Sequence, residues 1–481
     1  MPHRSPHDST LRDSSIHREP PGSEGAGPAL NLLALALVWS RDEPARLGEV
    51  LTLPLGAVDF PFTIGRAVES DDDGAQPLMF QQLRPASRVD TGPLRDARVS
   101  RRQLRVRLRE DGALLVERLG STPLRINGHE VAEAIVSPGD VIESVGRFIL
   151  LVTQRPVDWP RAAASTTAFS FGGPDPQGIV GESVAAWALR GRIAFIAPRT
   201  EHVLVHGPSG TGKELVVRAL HAASPRGATG LVARNAATIP DALVDAELFG
   251  NLRDYPNPGT PNRIGILGEA DGGALFLDEI GELAHALQAH LLRVMDGGEY
   301  QRLGEAQRRV CNARFFAATN RDPGALKHDL LARFVHRIEV PGLEQRPEDV
   351  PLLARQLLRS AARDNADVRA RFFVDDEPTL ASGLVAALVL HPYTTHVREL
   401  ASVLWRALAA SPGGAIQAPT GLALHPRPPL LAPNVAPTDL TREQVLAALA
   451  ACGGVRERAW RLLGLRSRDQ LKRLLIKLDI S

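Results

Sequence analysis

Apolar positions recur with a period of two residues in the first third of the chain. Between residues 30 and 155, short apolar alternations are separated by Gly, Pro and Asp, as at 104–108, 114–118 and 148–152. This alternation is typical of strands that bury one face, and many short strands at regular spacing predict a β-sandwich. We therefore predict an all-β domain over residues 30–155.

The period changes near residue 177. Apolar runs of strand length at 202–206, 274–277 and 314–318 alternate with amphipathic helical patterns up to residue 341. Buried strands that alternate with helices predict a parallel α/β layer over 177–341. Residues 342–411 show almost only the helical period and predict a smaller helical subdomain.

Polar and proline-rich segments separate these regions. Residues 1–29 predict a disordered arm, 156–176 a linker, and 412–438 a semi-rigid linker. Residues 439–481 return to a helical pattern and predict a short all-α module. The expected architecture is multidomain: a β-sandwich, then an α/β domain with a helical part, then an all-α tail.

Composition adds three constraints. The 481 residues include 56 basic and 55 acidic side chains, a net charge of +1, so any affinity for nucleic acid has to be local. The two cysteines, Cys311 and Cys452, cannot form a disulfide framework and suit a reducing compartment. The apolar run from Leu30 to Trp39 is far shorter than the ~18 residues of a membrane span, and we expect a cytoplasmic protein without membrane attachment.

The strongest chemical motif is a glycine-rich loop between a strand pattern and a helix pattern. Its residues are Gly207, Pro208, Ser209, Gly210, Thr211, Gly212 and Lys213. In that setting glycines let backbone N–H groups turn toward phosphate oxygens, and lysine adds a positive charge, which predicts a P-loop that binds ATP. Glu214 follows where a hydroxyl residue is usual, so a metal ion would depend on another group.

Two further strand patterns end in polar side chains. The run 274–277 is followed by Asp278 and Glu279, and the run 314–318 is followed by Thr319 and Asn320. In P-loop enzymes the first carboxylate after such a strand holds Mg²⁺, and a nearby acidic group polarises the attacking water. We predict Asp278 as the Mg²⁺ ligand, Glu279 as the group that activates water and Asn320 as a sensor of the γ-phosphate.

These motifs and several others follow one another in the order known from one protein family: 207–214, 233–237, 247–250, 270–283, 317–322 and 397–400. The stretch from about residue 179 to 400 resembles the AAA+ domain of the bacterial enhancer-binding activators that work with the sigma-54 form of RNA polymerase. The resemblance implies a ring-forming ATPase, a homo-oligomer expected to be a hexamer, with an active site shared between neighbouring subunits.

The resemblance also implies roles for single residues. Glu214 and Arg398 would join the P-loop in binding the nucleotide, and Asn235 would hold Glu279 until the nucleotide state changes. Arg333 would act as an arginine finger toward the neighbouring subunit; an ordinary exposed helical arginine is the alternative interpretation. Lys327 stands where the family has a second finger, and lysine lacks the paired donors of a guanidinium.

One segment departs from the family. Where the activators have a Gly-Ala-Phe-Thr-Gly-Ala loop that contacts the sigma factor, this chain has Asp254-Tyr-Pro-Asn-Pro-Gly259, of the same length. Prolines stiffen this segment and remove N–H donors. An interaction with sigma-54 RNA polymerase would therefore depend on a loop of different chemistry.

The β-rich region resembles a forkhead-associated (FHA) domain, a sandwich whose loops bind phosphothreonine. Its motifs lie at 64–66, 99–103, 119–122 and 126–128. The resemblance implies binding of a phosphothreonine protein or kinase through Arg66, Ser100, Arg101 and Thr122. Gln103 and Pro123 stand where the family usually has histidine and asparagine. A sandwich used for docking or self-association is the alternative.

The tail carries a local excess of positive charge. Residues 440–481 contain nine basic and four acidic side chains. Two helical patterns separated by a turn at Gly464 resemble the Fis-type helix-turn-helix of the same activators, which implies binding to DNA upstream of a promoter. A basic helical hairpin that packs on a partner subunit is the alternative. The candidate DNA contacts are Arg466, Ser467, Arg468, Gln470, Lys472 and Arg473.

Two main functional hypotheses follow. The first is an ATP-driven, DNA-binding transcription activator of the sigma-54 type whose FHA-like domain receives a kinase signal. The second is an ATP- and DNA-binding regulator whose altered loop, Asp254 to Gly259, no longer remodels the polymerase. A phosphopeptide adaptor is a third hypothesis, and the FHA-like region alone supports it.

Overall fold

The structure is a computed structural model of the chain. It describes residues 31–422 apart from 69, 71–73, 158, 160–168, 240–242 and 284, and in the tail residues 442, 445, 446, 449, 463, 465, 468–478 and 480. The predicted arm at 1–29 and parts of the predicted linkers at 156–176 and 412–438 lie outside the described residues.

The N-terminal region is β-rich, as the alternating pattern predicts. Its strands are β1 (Asn31–Ser40), β2 (Val50–Thr52), β3 (Pro61–Ile64), β4 (Gln76–Pro77), β5 (Phe80–Arg84), β6 (Ser87–Gly92), β7 (Leu104–Leu108), β8 (Leu114–Arg118), β9 (Leu124–Ile126), β10 (His129–Val131), β11 (Glu133–Val136), β12 (Val141–Ser144) and β13 (Phe148–Pro156). One sheet has the order β10-β9-β12-β13-β1-β2-β5-β6, and the other has the order β11-β8-β7-β3-β4. Alternate side chains such as Leu35, Phe80 and Val106 fill the core between them.

The next region is the expected parallel α/β layer. Its strands are β14 (Val203–His206), β15 (Leu231–Asn235), β16 (Ala274–Asp278), β19 (Arg314–Thr319) and β20 (His336–Glu339), with a hairpin of β17 (Glu299–Tyr300) and β18 (Arg309–Val310). The parallel sheet has the order β15-β16-β19-β14-β20. Its helices are α1 (Val184–Ile196), α2 (Lys213–Ala222), α3 (Val244–Phe249), α4 (Ile266–Glu269), α5 (His285–Gly297) and α6 (His328–Arg333).

Both faces of this sheet are covered, which explains its continuous apolar strands. Val203 and Val205 of β14 lie in one core with residues of α1 and α2, whereas Leu204 lies in the other core with residues of α5. The polar side chains that follow the strands are therefore gathered at one edge, where the carboxyl ends of all the strands meet.

A helical lid follows the sheet. It consists of α7 (Val350–Asp364), α8 (Ala366–Phe372), α9 (Ser382–Leu390) and α10 (His396–Ala410), with a small hairpin of β21 (Phe373–Val374) and β22 (Glu377–Pro378) inside the helical pattern. The lid does not stand alone: its core also contains Val38, Trp39, Ile149 and Leu151 of the sandwich. The sequence pattern gave no sign of this shared core.

In the described part of the tail, α11 (Arg468–Lys477) packs through Leu471, Leu474 and Leu475 on Val445, Leu463 and Leu465. The helices in the described ranges do not include one with the length and apolar character needed to cross a membrane.

Glu399 fixes the start of α10. Its Oε2 accepts hydrogen bonds from the backbone N–H groups of Thr394 and Thr395, at 2.7 and 3.0 Å, and its Oε1 lies 2.9 Å from a ring nitrogen of His391. Burial acts to raise the pKa of Glu399, but these hydrogen bonds outweigh it and lower the pKa to about 2.

We expect the Glu399→Gln variant to melt about 2–4 °C below the wild type at neutral pH, because charged hydrogen bonds are lost. The folded pKa lies below the ordinary value of 4.5. The difference should therefore be complete above that pH and shrink as the pH falls from there toward 2. Thermal unfolding followed by circular dichroism measures it. Asp367→Asn, which removes an exposed lid carboxylate paired with Arg371, is the control and should change little. A pH-independent difference would contradict the prediction.

Candidate nucleotide-binding site

The glycine-rich loop is a tight turn between β14 and α2. Gly207, Gly210 and Gly212 have φ angles of 145°, 79° and 98°. A Cβ atom at Gly207 would lie 2.6 Å from the carbonyl oxygen of Val340, and one at Gly210 would lie 2.2 Å from that of Thr395. Only glycine fits these positions, because a side chain at either one would collide with the backbone that packs against the loop.

Lys213 lies at the start of α2 and folds back over the loop. Its Nζ donates to the carbonyl oxygens of Gly207 and Pro208, at 3.0 and 3.1 Å. Burial lowers the pKa of Lys213; the charges of Glu279 and Asp278 act to raise it. The ammonium group is thus held at the loop by weak carbonyl acceptors, with carboxylates close enough to influence it.

The predicted catalytic residues lie at the same edge of the sheet. Asp278 ends β16, and its Oδ1 accepts from the backbone N–H of Glu279 at 3.0 Å. Glu279 has a φ of 52°, a strained value for a non-glycine residue. Its carboxylate accepts from the backbone N–H of Asn320, just after β19, at 3.3 Å. Asp278, Glu279 and Asn320 are therefore brought together across neighbouring strands.

Asn235 lies beside this group but makes a different contact. The strand register pairs Asn235 with Asp278. Its Oδ1 accepts from the backbone N–H of Ala237 at 2.9 Å and caps a short 3-10 turn. The bond that Glu279 makes in this structure is to Asn320, and a hold on Glu279 by Asn235 stays a prediction.

The lid touches the phosphate loop directly. The Arg398 guanidinium donates to Ser209 Oγ at 2.8 Å, and the backbone N–H of Val397 donates to the Gly210 carbonyl at 3.1 Å. A second arginine, Arg346, donates to the Thr211 carbonyl at 3.3 Å. Sequence reasoning missed Arg346, because a single arginine in an arginine-rich chain carries no local signal; its burial between two subdomains shows only in the fold.

The residues of the site suit ATP and Mg²⁺ to different degrees. The glycine cradle, Lys213 and Arg398 suit a chain of phosphates. Among the described residues, there is no group of three or more His, Cys, Asp or Glu side chains that could hold a metal ion. Mg²⁺ is commonly bound by one or two carboxylates together with substrate phosphates, and Asp278 suits that mode. Glu214 forms an ion pair with Arg218 of its own helix, with a guanidinium nitrogen of Arg218 2.6 Å from Glu214 Oε1.

Arg333 and Lys327 lie at either end of α6, with Lys327 just before it. Arg333 is exposed and forms an ion pair with Asp296 of the same chain. The backbone N–H of Lys327 donates to Gln288 Oε1 at 3.0 Å. Neither side chain contacts the phosphate loop of its own chain in the described contacts, so a role in catalysis would have to be exerted on a neighbouring subunit.

The segment that departs from the family is a compact turn with many internal hydrogen bonds. Asn251 Nδ2 donates to the carbonyl oxygens of Leu252 and Pro261, at 2.9 and 2.8 Å, and the backbone N–H of Gly259 donates to Asp254 Oδ1 at 2.7 Å. Buried Arg302 holds its base through the carbonyl oxygens of residues 251 and 263. The tip is therefore fixed by the chain's own bonds.

The candidate phosphothreonine residues lie at one end of the sandwich. A Cβ atom at Gly65, next to Arg66, would lie 2.7 Å from the Ser100 carbonyl and 2.3 Å from that of Arg101. Arg66 Nε donates to the Val99 carbonyl at 3.0 Å. Gln103, in the position of the family's histidine, donates to the Thr122 carbonyl at 3.0 Å. These contacts join the loops that carry Arg66, Ser100, Arg101 and Thr122.

The candidate DNA contacts are described in part. Lys472 and Arg473 are exposed on α11, and Gln470 is half-buried on the same helix. Arg466 and Ser467 lie outside the described residues, and Arg468 begins α11.

The chain is similar to known proteins over the region that contains this site. Residues 179–343 match the family described as "Sigma-54 interaction domain". The transcriptional regulatory protein ZraR of Salmonella typhimurium is 37% identical over 308 residues, 62% of this chain and 68% of ZraR. The Nif-specific regulatory protein of Azotobacter vinelandii is 37% identical over 307 residues, 60% of this chain and 57% of that protein.

Among solved structures, NtrX from Brucella abortus in complex with ATP is 28% identical, with a TM-score of 0.45, over 62% of this chain and 69% of NtrX. The sequence match to ZraR includes more than two thirds of that regulator. Together with the match to the sigma-54 interaction domain over the P-loop and the parallel sheet, it shows that the chain belongs to the family of sigma-54 transcriptional activators.

Proposed function

We propose that the protein is an ATP-dependent, DNA-binding regulator of transcription that hydrolyses ATP and acts on sigma-54 RNA polymerase. One observation carries the proposal: Lys213 and Arg398 of the lid both contact the glycine cradle of the phosphate loop, and the carboxylates of Asp278 and Glu279 lie at the same edge of the parallel sheet. A phosphate chain on this cradle would replace the carbonyl contacts of Lys213 with stronger, charge-assisted hydrogen bonds.

Hydrolysis would take place at the edge of the sheet where the carboxyl ends of the strands meet. Asp278 would hold Mg²⁺ together with the phosphates, which neutralises the charge that develops on transfer. Glu279 would polarise the attacking water, and its bond to the Asn320 N–H would orient it toward the γ-phosphate. Arg333 would leave Asp296 and act on the nucleotide of the next subunit in a ring, which is the contribution of an arginine finger.

The tail would bind DNA upstream of a promoter. Exposed Lys472 and Arg473 on α11 supply positive charge next to a small apolar core. Phosphate contacts of this kind supply affinity that falls with salt, and Gln470 on the same helix would be a candidate for contacts with base edges.

The sandwich would supply the signal input. Arg66 and Arg101 are exposed at the end where loops carrying Ser100 and Thr122 meet, and exposed guanidinium groups pair well with a phosphothreonine. Docking or self-association through the same end is the alternative use.

The turn around Asp254 to Gly259 favours a second candidate function. Asn251, Asp254 and Arg302 fix the turn from within, and the backbone N–H groups of Asp254, Tyr255 and Gly259 are bonded inside it. A regulator of this kind would bind ATP and DNA, and assemble with its own kind or with relatives, without remodelling the polymerase.

Open-complex formation by sigma-54 polymerase distinguishes the two. ATP-dependent promoter melting by the wild-type chain would support the first candidate. Hydrolysis without melting, together with melting by a variant in which Asp254–Gly259 is replaced by Gly-Ala-Phe-Thr-Gly-Ala, would support the second. A chain that neither binds ATP nor melts the promoter in either form would contradict both.

We expect Lys213→Ala to weaken ATP binding by roughly 10- to 100-fold, because charged hydrogen bonds to phosphate are lost. Isothermal titration with a non-hydrolysable ATP analogue measures the change. Lys477→Ala, an exposed lysine in the tail, is the matched control, and Glu279→Gln should retain binding while hydrolysis is lost. Unchanged affinity in Lys213→Ala would remove the P-loop assignment.

We expect a chain that ends at residue 439 to lose salt-sensitive DNA binding, since the local positive charge lies beyond that point. The double variant Lys472→Ala with Arg473→Ala should reduce the slope of log affinity against log salt by about two. Fluorescence anisotropy with a promoter-length duplex at several salt concentrations measures both, with Lys327→Ala as control. Equal binding by the truncated chain would disprove a role for the tail.

A further inference from the structure

The sandwich and the lid are joined by a common core as well as by chain connection. Trp39 and Ile149 of the sandwich are buried among lid residues that include Leu384 and Leu388 of α9. Trp39 Nε1 donates to the Leu380 carbonyl at 2.9 Å across the contact. The apolar contact fixes the sandwich on the lid. Charged groups at the margin of this contact link the sandwich to further parts of the chain.

One buried arginine of the sandwich reaches the start of the lid. Arg155 of β13 is 1% exposed and makes a two-bond contact with Glu348, at 3.1 and 2.8 Å. Glu348 lies in the 3-10 turn Pro347–Asp349 that leads into α7. Burial of such a pair costs solvation and adds little net stability, so its geometry is more informative than its energy.

A second arginine of the sandwich reaches the start of the α/β subdomain. Arg84 of β5 contacts Glu182 through two bonds, at 3.0 and 2.5 Å, and its guanidinium lies over the rings of Phe169 and Trp187, at 4.4 and 5.3 Å. Trp187 Nε1 also donates to Glu182, at 3.0 Å. Glu182 immediately precedes Ser183, the N-cap of α1.

The two acceptors meet at a single junction. Asp349, the neighbour of Glu348, accepts from the backbone N–H groups of Glu182 and Ser183, at 2.8 and 3.0 Å. Arg346, just before this turn, donates to the Thr211 carbonyl of the phosphate loop. Glu182 belongs to the α/β subdomain and Glu348 to the lid, so the sandwich holds both sides of the junction that sets the lid over the phosphate loop.

From this arrangement we propose that Arg84 and Arg155 are positioning residues for the nucleotide site: they hold the α/β subdomain and the lid at the angle at which Arg398 and Arg346 reach the phosphate loop. The inference rests on the proposed ATP binding. It makes the sandwich a structural part of the nucleotide site.

Affinity of the full chain for a fluorescent N-methylanthraniloyl ATP tests the proposal. Arg84→Met and Arg155→Met should each weaken binding by about tenfold, within the usual range of coupling between sites. Arg147→Met is the matched control, because Arg147 pairs with Asp96 inside the sandwich, 3.7 Å away. Its affinity should equal that of the wild type.

A double variant separates positioning from folding. Arg155→Met alone leaves Glu348 buried without a partner and strongly destabilises the fold, whereas Arg155→Met with Glu348→Met replaces the pair by apolar groups and should restore the melting temperature. Positioning requires that the affinity of this stable double variant remains weak. Recovery of wild-type affinity together with stability, or wild-type affinity in both single variants, would overturn the proposal.

Failure of the proposed ATP binding would look different. In that case the wild-type chain itself would not bind the ATP analogue, whatever the variants do. Binding by the wild type and by Arg147→Met, combined with weak binding by Arg84→Met and by the double variant, is the result expected here.

Discussion

A buried carboxylate at the junction of the α/β subdomain and the lid is the contact on which the arrangement of these two parts depends. Asp349 accepts from the backbone N–H groups of Glu182 and Ser183 and from the Ser183 hydroxyl, at 2.8, 3.0 and 2.6 Å. Burial raises the pKa of Asp349 to about 6, with the neighbouring Glu348 acting in the same direction. A carboxylate buried in this way needs hydrogen-bond donors in place of water. Its bonds to Glu182 and Ser183 therefore hold the start of α1 and the start of α7 together.

The nucleotide site follows from that junction. The sheet alone brings Asp278, Glu279 and Asn320 to one edge, because the carboxyl ends of its parallel strands coincide. The lid brings Arg398 to the site only when the lid lies over the phosphate loop. Thr395, just before α10, lies so close to Gly210 that a side chain at position 210 would not fit. The site is thus assembled from two subdomains whose angle the junction fixes.

The segment from Asp254 to Gly259 and the FHA-like loops have local chemistry that the family resemblance does not determine. Membership of the sigma-54 activators rests on the ATPase region and its relatives. The turn is held from within this chain by hydrogen bonds that Asn251 and Arg302 donate.

The sequence by itself determined the local elements and the order of the motifs: period-two strands such as Leu104–Leu108, the P-loop up to Lys213, and carboxylates after a buried strand. These features depend on interactions between residues that are close in the sequence, and such interactions appear as periodic patterns of apolar and polar residues. The tertiary structure decided the partners of Arg84, Arg155 and Arg346, and it placed the backbone N–H of Asn320 against the Glu279 carboxylate. Arg84 meets a residue 98 positions away and Arg155 one 193 positions away. No local pattern encodes such pairs, because an arginine has the same sequence signature on a surface as in a buried junction, and only chain packing selects its acceptor.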